Sequence, residues 1–176
     1  MKTPLKITSL MAITLMLAGS AWVSAARPSS RCMNVFAEGS GNLAIIEVAP
    51  GVFTLGFPPT AVTFGNVPGL LSSVVTSLQT SGSKGQGAQH ITLEHTFVST
   101  DPARLGSFTT TDRAVCAPAG KDPAVCRVND VLTIVSGTGI FANAEGSLRN
   151  HGIINLNPDA FSLTYSIRGR VCGDGL

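Results

Sequence analysis

The stretch from Val131 to Cys172, VLTIVSGTGIFANAEGSLRNHGIINLNPDAFSLTYSIRGRVC, decides the fold. An apolar strand runs into the turn Gly137-Thr138-Gly139-Ile140-Phe141-Ala142-Asn143-Ala144-Glu145-Gly146, and two more alternating strands follow it. Glycines at 137, 139 and 146 suit a chain that must turn tightly with φ > 0, while Phe141 and Ala144 supply a plug for a core. From Phe161 onward, Phe161, Leu163, Tyr165, Ile167 and Val171 fall on one face. Ser162, Thr164, Ser166, Arg168 and Arg170 fall on the other, which is the period of two of a half-buried strand.

Outward from this stretch the same character continues. Leu43 to Val48, Val52 to Phe57, Ala61 to Phe64, His90 to Ser99, Ser107 to Cys116, Val125 to Ser136 and Gly146 to Leu156 are rich in β-branched or aromatic residues, with Gly, Pro, Asn or Asp between them. Leu70 to Gln79 reads two ways: Leu70, Leu71, Val74, Val75 and Leu78 recur at helical spacing, but the Ser, Thr and Val content suits a strand. Thr80 to Gly87 reads as a flexible loop. The fold class is therefore all-β, a single small antiparallel β-barrel of about eight strands or a sandwich, and closure would remove exposed edges.

The first 26 residues read as an export signal, with Lys2 and Lys6 as a basic start, an apolar stretch from Ile7 to Leu17 and the small-residue site Val23-Ser24-Ala25. Residues 27–176 are then the β-barrel domain, and its destination is periplasmic or extracellular. The whole chain carries 12 Lys and Arg against 10 Asp and Glu, and losing Lys2 and Lys6 leaves the mature part formally neutral. That excludes the electrostatic footprint of a nucleic-acid binder, and no later segment is apolar for long enough to span a membrane as a helix.

All four cysteines, Cys32, Cys116, Cys126 and Cys172, lie in the mature part, where an oxidising compartment implies two disulfides. Three pairings are possible. The preferred one joins Cys116 to Cys126 across a short loop and Cys32 to Cys172 across the ends of the chain. A zinc site is the weaker competitor, since there is no Cys-x-x-Cys and no histidine at ligand spacing near these residues, so no metal and no cofactor are expected.

The turn at 137–146 resembles the Gly-Thr-Gly-x-Phe-x-x-Ala-x-Gly signature of the dirigent and allene oxide cyclase barrels. The resemblance implies a closed barrel whose lumen holds a small hydrophobic ligand, and a homo-oligomer, often a trimer. Glu145 stands where dirigent proteins usually carry a basic or small residue, and the acidic, aromatic and arginine pocket residues of these families have no matching motif here.

At about eight strands a barrel is either filled by side chains or has room for one small ligand. Strand parity nominates Asp112, beside Phe108, Thr110 and Ala114; His95, beside Ile91, Leu93 and Phe97; and Tyr165, beside Phe161, Leu163 and Ile167. Glu47 and Glu94 take the opposite or an uncertain parity, Asp130 and Arg149 are expected to face solvent, and His90 points away from His95. Hydrolase, metalloprotease and phosphate-binding motifs are absent, and Gly137-Thr138-Gly139 leads into no helix, which excludes a dinucleotide fingerprint. Two functions follow: a non-catalytic binding or structural module, or a cyclase- or dirigent-like barrel that folds a hydrophobic substrate into one reactive conformation.

Overall fold

The structure, a computed structural model, describes residues 31–81, 88–122, 124–157 and 159–176. The segment read as an export signal and most of the loop after Thr80 lie outside these residues. The described residues form nine strands: β1 (Arg31–Gly41), β2 (Ala44–Ala49), β3 (Val52–Phe64), β4 (Val67–Thr80), β5 (Gln89–Ser99), β6 (Gly106–Pro118), β7 (Val125–Gly139), β8 (Glu145–Asn155) and β9 (Ser162–Gly173). They make one antiparallel sheet in the order β1-β9-β8-β7-β6-β5-β4-β3-β2. The described residues contain no helix long and apolar enough to cross a membrane.

Register shifts in the β2/β3, β3/β4, β4/β5 and β6/β7 ladders bend the sheet on itself, as bulges do. The curl brings β1 alongside β3: Gly41 lies under the Phe57 ring, and Gly65 lies against Met33 and Asn34. No ladder joins β1 to β3, so the sheet is a curled half-barrel. Pro58 and Pro59, in the β3 stretch that would face β1, have no N–H to give such a ladder.

Three elements differ from the sequence expectation. Val52 to Phe57 and Ala61 to Phe64 are one strand, β3, with its irregularity at Pro58-Pro59. Leu70 to Gln79 is strand, because alternation governs it: Val67, Gly69, Leu71 and Ser73 are buried while Leu70 and Leu78 face outward. The third is β1, whose sequence carries little β signal. It buries only Val35 and Ala37, and Gly39 and Gly41 leave room for the rings of Tyr165 and Phe57.

Both disulfides take the preferred pairing. Cys32 and Cys172 are ladder partners on β1 and β9, and Cys116 and Cys126 bridge β6 to β7. The turn of the opening stretch caps one end of the interior. The Phe141 N–H donates to the Thr138 carbonyl and the Ile140 N–H to the Leu105 carbonyl, which carries the Phe141 ring inward. There it meets Phe97 and Phe108 at centroid distances of 5.7 and 5.1 Å, and Phe64 packs edge-on to Phe97 at 4.7 Å. A second apolar cluster, with Ile91, Ala114, Cys116, Cys126, Val128 and Ile154, fills the other end.

Candidate functional site

Between the aromatic plug and the second cluster, the inward face changes character on five consecutive strands. Along β6 the inward residues run Phe108, Thr110, Asp112, Ala114, Cys116, and along β7 they run Leu132, Asp130, Val128, Cys126. β5 places His95 between Phe97 and Leu93, β8 places Asn150 beyond Leu148, and β4 places Ser73 beyond Leu71. Period-two alternation thus aims Ser73, His95, Thr110, Asp112, Asp130 and Asn150 into one buried belt. Ser73 is the ladder partner of His95, His95 of Thr110, and Asp130 of Asn150, so the belt runs sideways across the sheet.

At its centre, ligand-type atoms of His95, Asp112 and Asp130 all lie within 4.8 Å of one another. His95 Nε2 is 3.3 Å from Asp112 Oδ1, a charge-pairing distance without hydrogen-bond alignment. Asp112 Oδ1 and Oδ2, Asp130 Oδ1, Asn150 Oδ1, Thr110 Oγ1 and His95 Nε2 are buried with no hydrogen-bond partner among the described residues. Buried polar atoms are nearly always satisfied, and each exception needs a cause. Burial, and then the neighbouring Asp112 carboxylate, push Asp130 up to about 9, while Asn150 acts in the opposite direction. Two carboxyls this close in an apolar shell need a proton or a cation between them.

Two openings serve the belt. Inside, a cavity of about 40 Å³ is lined by His95, Asp130, Asn150 and Ser73 and by apolar walls that include Leu43, Ile91 and Leu163. Outside, the β6/β7 ladder is interrupted: pairing stops at Thr111 with Thr133 and resumes at Val115 with Asn129. The unpaired stretch contains both Asp112 and Asp130. Over it lies an outer depression of about 610 Å³ lined by Thr92, Thr111, Arg113, Asn129, Val131 and Thr133.

No protein-family model, curated protein or solved structure matches this chain. The site therefore rests on its own geometry.

All three residues nominated by parity are buried, and the structure brings two of them together, His95 and Asp112. Tyr165 belongs instead to the apolar cluster, edge-on to Phe57 at 5.9 Å, and burial raises the pKa of its hydroxyl. Glu47, Glu94, His90 and Arg149 are exposed. Asp130 is a correction: it was expected to face solvent, yet it is only 8% exposed. The signal for it was present, since it shares parity with Cys126, Val128, Leu132 and Ile134.

Proposed function

We propose that the chain is exported behind the leader read at residues 1–26 and works in the periplasm or outside the cell as a disulfide-stabilised, barrel-like binding or structural module with no catalysis in its interior. The filled concave face carries this reading. A cavity of about 40 Å³ is far below the roughly 300–1,000 Å³ of ordinary small-molecule sites. Two disulfides fit an oxidising compartment. The resemblance to dirigent and allene oxide cyclase barrels supports a second reading, a cyclase- or dirigent-like lumen, and the polar belt among apolar walls favours it. That reading needs a substrate-sized space, which the aromatic plug and the second cluster occupy.

The exterior offers a partner surface instead. Ile45, Val48, Val52 and Phe53 are exposed on the β2/β3 hairpin, and β2 is a free edge of the sheet. A second copy of the chain fits it, because an edge strand accepts another strand and a formally neutral mature chain sets no net repulsion between copies. Mature protein purified from its source is expected to give a native mass spectrum of an oligomer with no small molecule attached and a chain start near Ala26 or Arg27. Phe53→Lys is expected to yield the monomer by light scattering without loss of thermal stability. A hydrophobic molecule retained at one per chain would overturn the non-catalytic reading in favour of the lumen reading.

A further inference from the structure

We infer that His95, Asp112, Asp130 and Asn150 form a binding site for one divalent transition-metal ion inside the curled sheet. The inference goes beyond the non-catalytic module and holds whether or not the exterior binds a partner.

The donor set comes first. An imidazole nitrogen, two carboxylates and an amide oxygen arrive from four adjacent strands, β5, β6, β7 and β8, with their donor side chains buried. Metal–nitrogen and metal–oxygen bonds of about 2.0–2.2 Å place tetrahedral ligands roughly 3.3–3.5 Å apart. The 3.3 Å between His95 Nε2 and Asp112 Oδ1 already has that span, and the whole cluster within 4.8 Å needs only small rotamer adjustments.

Asn150 is the independent observation. It lines the same cavity as His95 and Asp130, is 94% buried, and leaves Oδ1 unpartnered. The amide N–H side of Asn150 serves the Asp130 carboxylate, whose pKa it lowers, and leaves Oδ1 over, since ionised carboxylates only accept hydrogen bonds and cannot donate to it. A cation satisfies Asn150 Oδ1, both carboxylates and His95 Nε2 at once. Its two positive charges balance the two carboxylates, so the buried site is neutral overall, whereas the same groups alone carry an uncompensated cost.

Chemistry selects the class of ion. An imidazole with oxygen donors suits first-row ions such as Zn²⁺ or Mn²⁺, while Mg²⁺ and Ca²⁺ prefer all-oxygen shells. The cavity of about 40 Å³ holds an ion and one or two further oxygen ligands. The interrupted β6/β7 ladder beside Asp112 and Asp130 supplies an entry from the outer depression.

The test uses the mature chain with both disulfides formed, stripped with a chelator and titrated with Zn²⁺, Mn²⁺, Mg²⁺ or Ca²⁺ by calorimetry and thermal unfolding. One Zn²⁺ or Mn²⁺ per chain is expected, with a higher Tm and little response to Mg²⁺ or Ca²⁺. His95→Gln and Asp130→Asn should each weaken Zn²⁺ binding by more than the roughly 10- to 100-fold that losing an outer-sphere partner costs. A variant lacking the exposed His90 and His151 should bind as wild type does. Should the buried variants fail to fold, the ring nitrogen resonances of wild-type protein decide: Zn²⁺ should move those of His95 and leave those of His90 and His151 in place. No saturable Zn²⁺ or Mn²⁺ binding, loss of binding in the His90/His151 variant, or resonance changes confined to those two histidines would overturn the site.

Discussion

Asp130 holds a carboxyl where water does not reach it, with Asp112 on β6 as its acidic neighbour, His95 on β5 within 4.8 Å and Asn150 on β8 as its ladder partner. Its pKa is raised from the ordinary 3.8 to about 9, so over most of that interval the folded chain retains a proton that the unfolded chain has released. A raised folded pKa contributes stability that is complete below about pH 4 and is lost as pH rises toward 9. In the presence of a chelator, the urea midpoint of the wild type is therefore expected to fall from pH 5 to pH 9. Asp130→Asn should flatten that slope and unfold at higher urea than wild type at pH 9. An unchanged slope in the variant would show that Asp130 is not the group responsible. Asp112 and His95 were legible because each sits in an unbroken alternation with aromatic or aliphatic neighbours. Asp130 was missed because a charged residue flanked by Asn129 and Arg127 looks like surface, although the parity of Val128 and Leu132 points it inward. Which residues converge was not legible, since four successive strands supply them and only the register decides which of their inward residues lie level with one another.

At the scale of the element, the glycine turn does two jobs at once. Gly139 and Gly146 sit at φ of 58° and 133°, and a Cβ there would strike the carbonyl oxygens of Leu105 and Arg170. Backbone strain and collision act together, and the turn positions Phe141 in the aromatic plug. Gly139→Val or Gly146→Val is expected to cost more than about 3 kcal/mol. Gly51→Ala, at φ 74° in the β2/β3 hairpin with nothing near its Cβ, should cost only about 1–2 kcal/mol, the left-handed conformation alone. Chemical denaturation of the three variants checks this, and equal losses would show that collision adds nothing. The turn was readable because glycine spacing constrains backbone directly. Leu70 to Gln79 was ambiguous because apolar residues on both sides of β4, some buried and some exposed, imitate the spacing of a helix. β1 escaped notice because its apolar alternation is short, Met33, Val35 and Ala37, before it runs into Glu38-Gly39-Ser40-Gly41, so its β9 partner holds it more than its own propensity does.

At the scale of the whole molecule, the two bridges close loops of very different length. Cys32 and Cys172 are 140 residues apart in sequence, Cys116 and Cys126 only 10. Chain-entropy reasoning makes the long closure worth about 5 kcal/mol and the short one about 3 kcal/mol. Replacing Cys32 and Cys172 together by Ala is expected to lower the unfolding free energy by about 2 kcal/mol more than replacing Cys116 and Cys126, and denaturant titration of the two double variants measures the difference. Equal or reversed losses would place the effect in the folded state, where Cys116 and Cys126 are core residues of the second cluster. The sequence left three pairings open, and the preferred one proved right because β1 and β9 are ladder neighbours that set Cys32 opposite Cys172. The open seam between β1 and β3 was not legible, because Pro58-Pro59 look in the sequence like an ordinary break between two strands.

The Cys32–Cys172 link has one more consequence. With their Cα atoms 4.0 Å apart, these residues make the domain a near-continuous loop in which sequence order matters little. A peptide tether of a few residues joining Leu176 to Arg31 would complete the circle, and the chain could then begin and end at Gly120, an exposed hairpin tip where added atoms meet nothing. The nine strands would keep every neighbour they now have, and the belt of buried polar groups would be assembled from strands numbered in a different order.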